Sequence, residues 1–170
     1  MSDSESVSFE EEDKSFTSED FKKMAVSLEQ KDQIIRVDQE YILAKSDKYL
    51  SSLGCSIGRD ENNKNLVKAT IIGPEKTPFY GGFYKLNIKF PENYPSNAPS
   101  VLFDTKIFHP NVYDNGSICI EVLNNWNPNY SIIDILEAIY ILLVTPNENS
   151  PANKEAGKIN LLIKITPKLS

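Results

Sequence analysis

The segment from Phe83 to Phe90 restricts the possible fold more than any other part of the sequence. Apolar and polar residues alternate from Leu86 to Phe90, which is the pattern of a half-buried strand in an antiparallel sheet. The turn residues Gly81 and Gly82 precede it, and Pro91 follows it. Such a strand needs neighbouring strands to pair with and a second layer to cover its apolar face. We therefore expect a sheet with one buried face.

Two other segments carry strand signals, and a third carries the signals of a helix. Residues 65–74 end in a Gly-Pro turn, and residues 100–103 follow a loop with three prolines. Residues 131–144 begin with Ser131, have Asp134 three positions later, and continue with apolar residues at helical spacing. Since an apolar helix face packs on the apolar face of a sheet, the chain is predicted to be an α+β domain.

Composition limits the class of protein. The 170 residues are 40% hydrophobic, enough for the core of one domain, and the net charge of −6 argues against free-standing nucleic-acid binding. With two cysteines and no secretory leader, the chain is expected in a reducing compartment, cytoplasmic or nuclear or both. One histidine and two cysteines are too few for a zinc site, and no apolar run approaches the roughly 18 residues of a membrane span. We expect no metal and no membrane contact.

The N-terminal region divides at Thr17. Residues 1–16 carry six acids and almost no apolar residues, which predicts a disordered acidic tail. Thr17 and Asp20 resemble a capping box that starts ordered structure. The apolar phase is irregular after that, so we expect one helix over roughly 36–50 and a possible separate helix before it.

The run from His109 to Val122 contains the only histidine and one of the two cysteines. Pro110 and the turn at residues 114–116 predict a loop, and the alternation that follows predicts a short extended piece. That piece would present Cys119 and Glu121 on its open face above buried isoleucines. Taken alone, a cysteine beside isoleucines is more typical of a small buried apolar residue.

His109-Pro110-Asn111, followed by Gly-Ser-Ile-Cys at 116–119, resembles the active-site signature of ubiquitin-conjugating enzymes, with the cysteine ten residues after the histidine. Similar flanking sequence extends over residues 55–156. The resemblance implies the UBC fold: an N-terminal helix, a four-stranded antiparallel meander, an active-site cysteine loop and a central helix. The catalytic core would cover residues 17–156. Residues 157–170 are expected to form an atypical short C-terminus, and the sequence of 163–167 does not predict a helix.

The resemblance also assigns roles to residues. Cys119 would be the catalytic thiol, and Asn111 would stabilise negative charge on the reacting carbonyl or brace the loop. Glu121 and Ser150 match positions near the incoming lysine, whereas His109 and Pro110 would be structural. No cofactor is implied. The residues expected to contact a ligase are Pro95, Ser96, Asn127, Pro128 and Asn129.

The implied partners are ubiquitin or a ubiquitin-like modifier, the activating enzyme, a ligase of the RING type and a protein substrate lysine. The motifs are most similar to the branch that ubiquitinates histones and repair clamps. A conjugating enzyme for SUMO or a NEDD8-type modifier is an alternative, as are a non-catalytic ubiquitin-binding variant and a cysteine hydrolase. The first helix of such enzymes meets the activating enzyme and ligases, and here Asp38, Glu40 and Asp47 interrupt its lysines.

Ser150 is neutral where many relatives have an acid, so its phosphorylation would supply the missing negative charge. We expect Ser150→Asp to accelerate discharge of a Cys119 thioester to free lysine, measured by single-turnover gel assay. Ser150→Asn is the uncharged control of similar shape. A Ser150→Asp variant no faster than wild type would contradict this role.

Overall fold

The structure is a computed structural model that describes residues 17–149 and 151–165, with side chains through 160. The predicted acidic tail at 1–16, Ser150 and the last five residues lie outside the described residues.

The chain begins with a long helix, α1 (Ser18–Ser46), followed by a one-turn helix, α2 (Lys48–Ser52). Thr17 caps α1: its hydroxyl accepts from the Asp20 N–H at 3.2 Å, and its own N–H donates to the Asp20 carboxylate at 3.0 Å. The predicted capping box at Thr17 is therefore confirmed. The predicted helix at 36–50 is wrong in its bounds, because one helix runs from 18 to 46 and then breaks at Asp47, whose backbone is extended.

The four predicted strands form one antiparallel sheet in the order β1-β2-β3-β4. They are β1 (Cys55–Arg59), β2 (Leu66–Ile72), β3 (Phe83–Lys89) and β4 (Ser100–Phe103). The register places Val67 opposite Ile88 and Leu86 opposite Phe103, and all four side chains are buried. The expected meander with one buried face is confirmed.

Helix α4 (Ile132–Val144) covers the buried face of the sheet, as its apolar spacing predicted. A short helix, α3 (Glu121–Asn124), precedes it, and α5 (Lys154–Ile165) follows it. Ile135, Leu136 and Ile139 are fully buried in the core. The expectation that residues 163–167 are not helical is wrong for 163–165, which belong to α5.

A buried carboxylate, Glu40, joins three separate parts of the chain. Only 4% of the residue is exposed. The Tyr94 hydroxyl lies 2.7 Å from both carboxylate oxygens, the backbone N–H of Ile132 donates at 3.0 Å, and Arg36 forms an ion pair with Oε1. Burial, with the neighbouring Glu40, raises the pKa of Tyr94 well above its usual value, so the phenol stays a donor. Glu40 thus fixes α1, the proline-containing loop after β3 and the start of α4 to one another.

The sequence predicts that Glu40 lies on an exposed partner face together with Asp38 and Asp47, and the structure corrects this for Glu40. Glu40 is buried, Asp38 pairs with Arg59 of β1, and Asp47 accepts from the Leu50 N–H at 2.7 Å to cap α2. Glu40 and Asp38 join α1 to distant parts of the fold, and Asp47 satisfies a backbone donor in the first turn of α2.

Removing one partner of this cluster leaves buried groups unsatisfied. We expect Glu40→Ala to lower the free energy of unfolding by about 3–5 kcal/mol and Tyr94→Phe by about 1.5–3 kcal/mol. Since both changes remove the same hydrogen bond, the double variant should lose less than the sum. Urea unfolding measures all three. Glu29→Ala, at an exposed position of the same helix, is the control and should change stability by less than about 0.5 kcal/mol. A Glu40→Ala variant as stable as this control would contradict the role.

Candidate active site

The loop between β4 and α4 turns back on itself and holds Cys119 beside Asn111. The reversal occurs at Gly116, whose φ of +85° suits glycine, and a Cβ there would lie 2.4 Å from the Phe103 carbonyl oxygen. The backbone N–H of Tyr113 donates to the Ser117 carbonyl at 2.9 Å, and the N–H of Cys119 donates to the Asn111 carbonyl at 2.9 Å. The position of the thiol is therefore set by backbone hydrogen bonds.

Cys119 lies on a partly exposed surface above two buried isoleucines. Ile118 and Ile120 are each 7% exposed, which confirms that they anchor this segment. The predicted extended piece through Glu121 is wrong, because Glu121 begins α3. Its exposed carboxylate accepts from the side chain of Asn125, the residue that follows α3. Asn124, which the sequence analysis did not single out, places its side-chain nitrogen 3.7 Å from the Cys119 sulfur.

His109 is fully buried, and both of its ring nitrogens are occupied. Nδ1 accepts from the Asn111 N–H at 3.0 Å, so Nε2 carries the proton and donates to the Leu142 carbonyl, also at 3.0 Å. Burial lowers the pKa of His109 to about 4 against a smaller opposing effect of the Leu142 carbonyl, and the ring is neutral at pH 7. A cysteine hydrolase needs a histidine free to take a proton from its thiol. His109 is not free to do so.

The side chain of Asn111 clamps the loop that follows α4. Its Nδ2 donates to the Asn147 carbonyl at 2.7 Å, and its Oδ1 accepts from the Asn147 N–H at 2.9 Å. The N–H of Asn153 donates to the carbonyl of Pro110, which is itself buried, at 2.9 Å. Asn147 and Asn153 were missed because their contribution here comes from backbone groups, which leave no signal in the sequence.

The predicted ligase-contacting residues come together on one surface. The indole N–H of Trp126 donates to the Pro95 carbonyl at 2.7 Å and joins the two loops that carry them. Ser96, Asn127, Pro128 and Asn129 are exposed beside this link. Of the two residues predicted near the incoming lysine, Glu121 is exposed at the start of α3. The other, Ser150, lies outside the described residues.

The second cysteine has a different environment. Cys55 is buried at the start of β1, and burial raises the pKa of its thiol to about 11. A thiol with so high a pKa is a poor nucleophile at neutral pH. Within the described residues, no three His, Cys, Asp or Glu side chains group as they would around a metal ion. None of the described helices is long and apolar enough to cross a membrane.

Comparison with known proteins identifies relatives of this chain. The family described as ubiquitin-conjugating enzyme matches residues 36–161. The chain is 47% identical to ubiquitin-conjugating enzyme E2 1 of Caenorhabditis elegans over 107 residues, which are 62% of this chain and 56% of that protein. It is 44% identical to ubiquitin-conjugating enzyme E2 3 of Arabidopsis thaliana over 108 residues, which are 63% of this chain and 72% of that protein.

The depressed pKa of His109 predicts a specific loss of stability in acid. Below pH 6.5, the ordinary pKa of histidine, His109 binds a proton in the unfolded chain, whereas in the folded chain it does so only below about pH 4. The free energy of unfolding should therefore fall between these values, by up to about 3 kcal/mol at about 1.4 kcal/mol per pH unit. Asp20 and Asp60, whose pKa values are lowered by hydrogen bonds, contribute only below about 3.8 and do not obscure this window.

Urea unfolding at pH 7 and pH 5 measures this loss, and NMR of the single imidazole measures the pKa directly. His109→Gln should remove the pH dependence in that window. An imidazole that titrates near pH 6.5 in the folded protein would contradict the proposed environment.

Proposed function

Because the chain belongs to the ubiquitin-conjugating enzyme family, we propose that it accepts ubiquitin from the activating enzyme as a thioester on Cys119 and passes it to a substrate lysine with a ligase. The observation that carries the proposal is the partly exposed Cys119, held by its own N–H against the Asn111 carbonyl within the family-matched region. No cofactor takes part in either step.

In the first step, the Cys119 thiolate attacks the thioester that joins the modifier's C-terminus to the cysteine of the activating enzyme. One carbon–sulfur bond forms, another breaks, and the activating enzyme leaves as a thiolate. A free cysteine is a few per cent thiolate at neutral pH and is strongly nucleophilic, so the step needs no base. A reaction that needs no base agrees with a histidine whose two ring nitrogens are both hydrogen-bonded, as they are in His109.

In the second step, a neutral lysine amine attacks the thioester carbonyl, loses a proton and releases the Cys119 thiolate. Negative charge grows on the carbonyl oxygen, where a neutral amide donor is effective. The side-chain amide of Asn111 has two N–H groups, and the bond to Asn147 uses one of them. We assign the second N–H to the developing oxyanion, so Asn111 both braces the loop and contributes to catalysis.

The incoming lysine requires an acceptor to orient it. Glu121 is exposed two residues after the thiol, at the first turn of α3, and its carboxylate already accepts a hydrogen bond there. We propose that Glu121 orients the attacking amine. The family resemblance assigns the same role to Ser150, which lies outside the described residues. Removal of water from around the lysine amine would lower the pKa of the amine, and nearby hydrogen-bond acceptors would orient it.

The choice of modifier and ligase is a further part of the proposal. Ubiquitin is favoured over SUMO or a NEDD8-type modifier by the relatives described above. We propose a RING-type ligase for the surface around Pro95, Ser96 and residues 127–129, since the Trp126 hydrogen bond holds the two loops in fixed relation. Action on protein lysines in the cytoplasm or nucleus, including histones or repair clamps, follows from the motif resemblance.

The cysteine assignment is tested by loading. With ATP, a ubiquitin-activating enzyme and ubiquitin, wild type should give a band on a non-reducing gel that a thiol reagent removes. Cys119→Ala should give no band, Cys119→Ser a thiol-resistant ester, and the matched control Cys55→Ala a normal band. Parallel reactions with other modifiers and their activating enzymes identify the modifier. Absence of every band from folded wild-type protein would refute the proposal.

The proposed role of Asn111 predicts different effects of its removal on the two steps. We expect Asn111→Ala to load ubiquitin within a few-fold of wild type but to discharge to free lysine about a hundredfold more slowly, since one oxyanion donor contributes about 3 kcal/mol. Asn147→Ala keeps the backbone groups that Asn111 contacts and should discharge normally. If Asn111→Ala slows loading and discharge equally, its role is confined to bracing the loop.

A further inference from the structure

The sulfur of Cys119 has a hydrogen-bond donor beside it, the side-chain amide of Asn124. The Nδ2 atom of Asn124 lies 3.7 Å from the sulfur, within reach of a hydrogen bond to this large, weakly accepting atom. Among the residues whose side chains are described, no other donor contacts the sulfur. The atom that reacts in both proposed steps therefore has a neutral amide next to it.

The backbone fixes Asn124 close to the cysteine. Asn124 is the last residue of α3, and its own N–H donates to the carbonyl of Ile120 at 3.0 Å. Ile120 directly follows Cys119 and is buried, and Leu123 packs against the core. The amide and the sulfur thus belong to one anchored segment, so local backbone structure sets the distance between them.

The neighbouring Asn125 has the same type of side chain but a different contact. It is exposed, as Asn124 is, and its side-chain nitrogen donates to the carboxylate of Glu121. Asn125 therefore engages the acid nearest to the thiol in sequence, whereas Asn124 engages the thiol itself. The contact with sulfur is a property of position 124 and not of every exposed asparagine in this turn.

A donor at this position matters most when the sulfur carries negative charge. A thiolate and a thioester sulfur have no proton, so both can only accept, and the amide must present an N–H to them. Hydrogen bonds to an ionised acceptor are about twice as strong as those between neutral groups. The contact therefore stabilises the thiolate more than the thioester, and this difference favours a step that produces thiolate.

We propose that Asn124 is a catalytic residue of the second step, in which its Nδ2–H stabilises the Cys119 thiolate as it leaves. This role rests on the function proposed above. The lysine nitrogen forms a bond to the thioester carbon, the carbon–sulfur bond breaks with its electron pair going to sulfur, and the proton lost from nitrogen passes to water. Asn111 acts on the carbonyl oxygen and Asn124 on the sulfur, so one amide serves each atom that becomes negatively charged.

The first step depends on Asn124 less strongly. There the thiolate is the nucleophile, and a donor has two opposing effects on it. The donor increases the fraction of the thiol that is ionised, but it lowers the reactivity of each thiolate by roughly half as much on a logarithmic scale. In the second step the sulfur only gains charge, so no such cancellation occurs.

Alkylation by iodoacetamide, a neutral reagent, tests the contact without ubiquitin or an activating enzyme, with modification of Cys119 followed by peptide mass spectrometry. Asn124→Leu should react about two- to threefold more slowly than wild type at pH 7, where few thiols are ionised, and about twofold faster at pH 10, where most are. Asn125→Leu is the matched control and should react as wild type does at both pH values. A ratio of variant to wild-type rate that is the same at pH 7 and pH 10 would overturn the proposal, because it would show that Asn124 affects only access to the thiol.

A second variant separates charge from shape. Asn124→Asp keeps the shape of the side chain but replaces the donor with a negatively charged acceptor, so alkylation at pH 7 should be slower than in Asn124→Leu. Alkylation of Asn124→Asp at the wild-type rate would also overturn the proposal. Circular dichroism checks that each variant is folded.

Single-turnover discharge of the loaded protein to free lysine tests the catalytic role itself. Asn124→Leu should discharge about five- to tenfold more slowly than wild type and should load ubiquitin within about threefold of it. If wild type loads and Asn124→Leu discharges at the wild-type rate, the role of Asn124 is wrong and the proposed function stands. If folded wild type does not load, the proposed function is wrong, and the role of Asn124 in the second step is overturned with it.

Discussion

The burial of the Glu40 carboxylate is the constraint on which the arrangement of the domain depends. A charge with only 4% exposure is tolerated where every acceptor site is satisfied, and Glu40 reaches this state by drawing donors from Tyr94 and from the first residue of α4. These partners lie 54 and 92 residues away in sequence. The hydrogen bonds of this one carboxylate therefore fix where three distant segments meet. Apolar packing is non-directional and would by itself determine their relative positions less well.

Helix α4 carries this constraint to the active site. Its first backbone N–H is held by Glu40, and near its other end the Leu142 carbonyl accepts from His109. The chain after α4 is then held by Asn111 through both backbone groups of Asn147. The loop that carries Cys119 is thus tied to a rigid helix and to the segment beyond it. These bonds position the loop without using the Cys119 sulfur, whose own contact is the side-chain nitrogen of Asn124 at 3.7 Å.

Features that depend on local sequence were predicted well. The alternation at Phe83–Lys89 and the boundaries of β4 agree with the structure, because a half-buried strand requires a period of two. The capping box at Thr17 and the hydrogen bonds from Ser131 to the Asp134 carboxylate also agree, since each lies within four residues. The continuity of α1, the short α3 and the buried role of Glu40 were not predicted. Each depends on tertiary partners, and a glutamate flanked by polar residues is normally exposed. The residue types of the candidate site came from resemblance to a family, whereas its clamp at Asn147 uses backbone atoms that any residue supplies.

The proposed reaction explains why so much of this sequence serves position and so little serves acid–base catalysis. Transfer of an acyl group from one thiol to another needs little assistance from the protein, because a thiolate is both a good nucleophile and a good leaving group. Aminolysis gains most from a donor that is already aimed at the developing oxyanion and does not reorganise during the step. A buried asparagine fixed at its carbonyl and at one N–H leaves its remaining N–H with a defined direction. On this view the bracing and catalytic roles of Asn111 are not alternatives, since the clamp on Asn147 is what makes the remaining donor effective.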